Sequence, residues 1–321
     1  MKPRSNISKN ISEKGVKMPV KLGINTGFAL NRFTTPELWI PLVTKEFGLK
    51  CVQLTADLIN PSLGSLAIRL AERTRELCER YNIRVEHTFT GAFTRVNHLG
   101  HPDEEIRKYW IDWFCRFADI SSILGVESMG SHFAILTSSD NDDQIAREMR
   151  FKQICEGWKT IAKYAAGKGI KYLTWEPMSI SREFGETIKA TDHIQRIVNK
   201  DIAIPMKLCL DVDHGDLTSG NPEDTDPYAW IRFFARDTAL IHLKQTLLDK
   251  GGHWPFTQEY NTRGIITPDK LLACLDNSGI TDVTLLLELS FKERNPTDKN
   301  VIKDIQISID YWRKQSKRIV F

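Results

Sequence analysis

Residues 206–215 read MKLCLDVDHG, an apolar run that meets an aspartate and then, three residues on, a histidine. A strand covered on both faces looks like this as it emerges into a loop, with no polar alternation until its end. Seven other runs share the form: VKLGINTG (20–27), CVQLTADL (51–58), IRVEHTFTG (83–91), VESMGSHFA (126–134), IKYLTWEPM (170–178), ALIHLKQT (239–246) and VTLLLELS (283–290). Amphipathic stretches separate them. GSLAIRLAERTRELCERY (64–81) places Leu66, Leu70, Leu77 and Tyr81 at helical spacing. Prolines with nearby acids open others at Pro36, Pro102, Pro268 and Pro296, where a helix has free amides to spare. Gly48, Gly169 and Gly279 stand before strands, where helices stop. Eight strand–helix units without a composition break predict one (β/α)8 TIM barrel over residues 19–321. An open doubly wound sheet is the alternative. The unit count, and the lack of a G-x-G-x-x-G after the first run, favour closure.

The length of 321 residues fits such a barrel, which typically takes roughly 250. With 41% apolar and 26% charged residues, the chain has an ordinary globular composition. No stretch approaches the ~18 consecutive apolar residues of a membrane span, so no membrane association is expected. Six cysteines (Cys51, Cys78, Cys115, Cys155, Cys209, Cys274) contain no C-x-x-C pair and read as reduced thiols of a cytoplasmic protein. The net charge of +3 comes from residues 1–18, which carry five basic side chains against Glu13. That leaves 39 basic and 40 acidic residues in 19–321, a neutral body with no field for nucleic acid. The first 18 residues lack an apolar h-region and are expected to be a disordered extension.

In a closed barrel the strand C-termini converge on one face, which holds the active site. Glu176 ends the fifth run, Asp211 and His214 the sixth, His242 sits in the seventh and Glu288 in the eighth. Any one of these reads as a capping or hydrogen-bonded core group. Four in register at strand ends are costly to bury without a cation. Three carboxyl oxygens and an imidazole suit one divalent metal, Mn²⁺ or Mg²⁺, with Co²⁺ or Zn²⁺ as alternatives.

With the E-P after the fifth strand (Glu176-Pro177), the D-x-x-H after the sixth (Asp211 to His214), the histidine of IHLK (His242) and the glutamate of LLLELS (Glu288), the chain resembles the xylose-isomerase-like barrel superfamily of sugar isomerases, epimerases and apurinic endonucleases. The resemblance to its keto-sugar 3-epimerases implies that Glu176, Asp211, His242 and Glu288 bind one metal and that His214 contacts substrate. More narrowly, INTGF, TADLINPSL, TFTGAFTRVNH, LCLDVDHGD and KGGHWPFTQEYN are similar to the tetrulose-phosphate epimerases of erythritol catabolism, the erythrulose 1-phosphate 3-epimerase type. That implies epimerisation of a short ketose phosphate through a metal-bound cis-enediolate, with Glu176 and Glu288 as acid and base on opposite faces of the carbon. The same site, with one base working on one face, would interconvert aldose and ketose.

Lys244, Arg182 and Arg263 are candidate phosphate anchors, Lys244 first because it lies two residues past His242 on the same strand face. His253, Trp254 and Phe256 lie in the long connection 246–266 and are candidates for a lid over the substrate. His87 and His132 close the third and fourth runs and are expected to form the pocket wall or contact substrate hydroxyls, or failing that to be satisfied core histidines. Apurinic endonucleases bind additional zinc at these places, but they also need a D-x-H pair after strand seven, where this chain has Asp249 to His253. The nuclease is the weaker alternative, and a non-catalytic sugar sensor weaker still. A homo-oligomer is compatible with all of these.

Overall fold

All eight apolar runs form strands in the computed structural model, which describes residues 19–249, 251–280, 282–315 and 317–321. The extension expected over residues 1–18 lies outside the described residues. The strands are β1 (Val20–Asn25), β2 (Cys51–Thr55), β3 (Arg84–Phe89), β4 (Ser128–His132), β5 (Tyr172–Glu176), β6 (Met206–Asp211), β7 (Thr238–Leu243) and β8 (Thr284–Leu287). Each pairs in parallel with its sequence neighbours, and β1 also pairs with β8, Lys21 opposite Thr284 through Ile24 opposite Leu287. The ring is therefore closed. A short strand that sequence patterning did not anticipate, β9 (Ile319–Val320), adds to the start of β1.

Helices form where the sequence offers caps. Asp103 accepts hydrogen bonds from the amides of Glu105 and Ile106 at the head of the Glu104–Ile123 helix. Thr267 caps Pro268–Ser278, which ends on Gly279 at φ +73°, a left-handed conformation that glycine adopts without strain. The apolar faces of these helices pack on the outside of the ring, and Trp39, Trp113, Trp158, Trp175 and Trp312 are fully buried there.

A second, smaller apolar cluster, Phe89, Cys209, Ala239, Leu240 and Leu286, positions the site. Side chains two apart on a strand share a face, so Cys209, Leu240 and Leu286 lie one layer below Asp211, His242 and Glu288. This dry layer is the floor on which the polar groups stand. Phe89 packs edge-on against the His242 ring, centroids 5.4 Å apart. Gly130 makes room for it: a Cβ there would come within 2.4 Å of the Phe89 ring and 2.1 Å of Thr174 Oγ1.

Candidate active site

The strand ends bring Glu176, Asp211, His214, His242 and Glu288 together, although they span more than a hundred residues of chain. His242 Nδ1 lies 2.8 Å from Glu176 Oε1 and 3.4 Å from Glu288 Oε2. His214 Nε2 is 3.6 Å from Asp211 Oδ2, and its Nδ1 is held 2.8 Å from the Pro177 carbonyl oxygen. Glu176, Asp211, His242 and Glu288 each offer one ligand atom, all within 4.8 Å of one another. Three carboxyl oxygens and one nitrogen, mostly buried and converging on one point, fit a divalent cation and form a candidate metal centre. A trio of Glu176, Cys209 and His242 also lies within this range. Burial pushes the Cys209 thiol up to about 12, so it keeps its proton and is the poorer donor.

Lys244 takes a different place from the one expected of it. Its side chain is wholly buried, with Nζ against Asp211 Oδ2, 2.7 Å from Glu288 Oε2 and 2.8 Å from His253 Nδ1. Burial alone would favour the neutral amine. Asp211, Glu288 and Glu176 outweigh it and hold the ammonium well above the usual lysine range. For Asp211 burial is likewise outweighed, by His214 and Lys244, and its carboxyl is held low. Glu288 is held low by His242 and Lys244. Lys244 is therefore a cation shared by the carboxylates of Asp211 and Glu288, and it is not among the residues that line the cavity above them.

Above the cluster opens a cavity of about 490 Å³. Glu176, Glu288, His214, His132 and His253 line it, as do Asn25 at the end of β1 and Arg32 and Arg95 from the loops after β1 and β3. Of the anchors expected from sequence, Arg182 is outside this lining and turns toward Glu183, while Arg263 is exposed. The arginines that do line the cavity are Arg32 and Arg95. Arg32 is braced by Asp298 at 2.6 Å and by the Phe291 carbonyl, and Arg95 by Glu183. Sequence reasoning missed both, because neither falls at a strand end.

His132 lines the cavity as expected, with Nε2 2.9 Å from the Val96 carbonyl oxygen. His87 does not: it is buried beside Ser128 and faces Tyr172. Burial drives both rings down to about 3, so they are neutral core imidazoles. Trp254 turns away from the cavity and stacks on Tyr260 at 4.7 Å, while Phe256 is buried against Trp312. The connection 246–266 is pinned over the barrel mouth instead by Asp213, which accepts from the amides of Gly251 and Gly252, each at 3.1 Å. That anchor delivers His253 to Glu288.

One neutral side chain was also missed. Gln53 stands inside the barrel on β2, and its Oε1 is 2.7 Å from His242 Nε2. Its signal was the one that marked the carboxylates, a polar residue inside the apolar run CVQL, but without a charge to draw notice.

The profile of the Xylose isomerase-like TIM barrel family matches residues 42–315, most of the chain, and the chain belongs to that family. Within it, the chain is 45% identical to D-erythrulose 1-phosphate 3-epimerase of Brucella abortus (strain 2308) over 297 residues, 92% of this chain and 96% of that one. The fold is shared with a Rhodospirillum rubrum protein provisionally named a xylose isomerase (TM-score 0.84, 25% identity, 93% of this chain and 99% of that one). It is shared too with D-psicose 3-epimerase of Clostridium cellulolyticum H10, solved with D-tagatose (TM-score 0.67, 15% identity, 92% and 99%). The chain is thus an enzyme of the sugar isomerase and epimerase class. Among the described residues no helix is long and apolar enough to cross a membrane.

Proposed function

We propose that the enzyme inverts carbon 3 of erythrulose 1-phosphate or a close tetrulose phosphate. The observation that carries the reading is the convergence of Glu176, Asp211, His242 and Glu288 at the floor of a cavity that two arginines also line. The high identity to an enzyme named for this reaction supports the same substrate class.

The hydrogen on carbon 3 is acidified by the neighbouring ketone, and its removal leaves an enediolate. A divalent ion held by Glu176, Asp211, His242 and Glu288, Mn²⁺ or Mg²⁺ for this donor set, would supply Lewis acidity toward the ketose. Glu176 arrives from β5 and Glu288 from the end of β8, with β6 and β7 between them. In this reading one carboxylate takes the proton from one face and the other returns a proton to the opposite face. His214, whose Nδ1–H donates to the Pro177 carbonyl, presents Nε2 as an acceptor to a substrate hydroxyl. Arg32 and Arg95 receive the phosphate through charge-assisted hydrogen bonds. His253 and the loop above it keep water from the enediolate.

The test is to incubate erythrulose 1-phosphate with Mn²⁺-loaded enzyme and follow the stereochemistry at carbon 3. Conversion to the epimer supports the reading. Movement of the carbonyl from carbon 2 to carbon 3, giving the tetrulose 4-phosphate in place of the epimer, would assign the site to isomerisation instead.

A further inference from the structure

Hydrogen-bond polarity across the barrel determines which nitrogen of His242 is free to bind a metal. Asn25 and Gln53 face each other on β1 and β2. The Gly27 amide donates to Asn25 Oδ1 at 2.7 Å, and an amide N–H can only donate. This backbone contact orients the Asn25 side chain, so Nδ2 is the atom turned to Gln53, 2.7 Å from Oε1. Gln53 must therefore present its oxygen, and the same oxygen lies 2.7 Å from His242 Nε2. Nε2 then carries a hydrogen, and Nδ1 is left facing Glu176 and Glu288. The arrangement has a cost: Gln53 Nε2 is buried with no hydrogen-bond partner among the described residues. A buried donor is left unsatisfied only when the other end of the group is strongly held.

We infer that Asn25 and Gln53 are positioning residues that fix His242 in the Nε2–H tautomer and so reserve Nδ1 for the metal. Neither touches the ion. They act through the imidazole, as outer hydrogen-bond partners of metal-bound histidines do, with effects of about ten- to a hundredfold on metal affinity. Asn25 also lines the cavity, so the relay joins the substrate chamber to the far side of the metal ligand. The inference rests on the reading of the four-residue cluster as a metal centre.

The test compares Mn²⁺ affinity, measured by titration calorimetry and by the electron-spin signal of free Mn²⁺, in the wild type and three variants. Gln53→Glu keeps an acceptor and should bind within about threefold of wild type or more tightly. Gln53→Met removes the acceptor at similar volume and should lose about tenfold or more. Asn25→Asp reverses the relay. A carboxylate oxygen facing Gln53 would turn its NH₂ toward both neighbours, making Nε2 of His242 an acceptor and placing the hydrogen on Nδ1. Simple electrostatics predicts that an added anion strengthens cation binding, whereas the relay predicts a loss of about tenfold. Asn25→Asp binding Mn²⁺ as tightly as wild type, or Gln53→Met and Gln53→Glu behaving alike, would overturn the inference. Either comparison suffices if one variant does not fold. Wild type without Mn²⁺ affinity would instead overturn the metal centre itself, and the relay with it.

Discussion

Lys244 Nζ lies 2.7 Å from Glu288 Oε2 at the wholly buried centre of the barrel mouth, with Asp211 on its other side. A permanent ammonium thus offsets part of the negative charge that the metal centre would otherwise concentrate. Replacing it with a neutral side chain of similar length separates its structural role from its electrostatic one. Lys244→Met should lower the melting temperature in EDTA, since breaking a buried ion pair costs about 3–5 kcal/mol. The same variant should gain more from saturating Mn²⁺ than wild type does, because the carboxylates then have only the added ion to neutralise them. Melting curves with and without Mn²⁺ check both; an equal gain in the two proteins would mean Lys244 carries no charge-balancing role.

Glu176→Gln and Glu288→Gln should each reduce turnover at least a hundredfold, the lower range of general acid–base catalysis. They should differ in proton exchange. The variant lacking the abstracting base for a given epimer stops exchange altogether, whereas the variant lacking the opposite group still exchanges the carbon 3 hydrogen without inverting it. Exchange measured from each epimer separately distinguishes the two. Unaltered turnover in either variant would remove that glutamate from the mechanism.

Arg32→Ala and Arg95→Ala address the phosphate. Loss of a charge-assisted hydrogen bond is worth about 1.5–3 kcal/mol, or roughly ten- to a hundredfold in kcat/KM. The loss should be confined to the phosphorylated ketose, with the unphosphorylated sugar little affected. An equal loss on both substrates would make these arginines structural braces for the loops after β1 and β3.

Three buried histidines predict an acid-sensitive fold. His87 and His132 are driven down to about 3, and His98 is held well below its ordinary value, chiefly by burial. As pH falls below the ordinary value of 6.5, the unfolded chain takes up protons that the folded one refuses, so stability is lost from 6.5 downward. Asp211 and Glu288 add to the loss only below about 4.5, the ordinary glutamate value. Between pH 6.5 and about 5, denaturant unfolding should show a slope approaching three protons, and His87→Gln should reduce it by one. A flat profile would mean that these rings are not held neutral in the fold.

The barrel was legible because parallel strands buried on both faces write themselves as continuous apolar runs. The candidate metal centre was legible because Glu176, Asp211, His242 and Glu288 break those runs where they end. What lay beyond was decided by partners distant in sequence. Spacing placed Lys244 on the face of His242, but Asp211 and Glu288 are 33 and 44 residues away from it, and they hold it below the cavity. Trp254 faces Tyr260 because of the path of an irregular loop, which no periodicity records. Arg32 and Arg95 reach the cavity through similarly irregular turns. Gln53 stayed hidden because a neutral amide acquires its meaning only from what stands across the barrel.

The proposed reaction begins with proton abstraction at carbon 3 and depends on a bound metal. The most direct measurement is proton NMR of erythrulose 1-phosphate in deuterium oxide with enzyme treated first with EDTA and then with Mn²⁺. No loss of the carbon 3 proton signal is expected after EDTA, and deuterium should enter at least as fast as inversion once Mn²⁺ is restored. Inversion without deuterium entry, or an undiminished rate in EDTA, would contradict the proposed reaction.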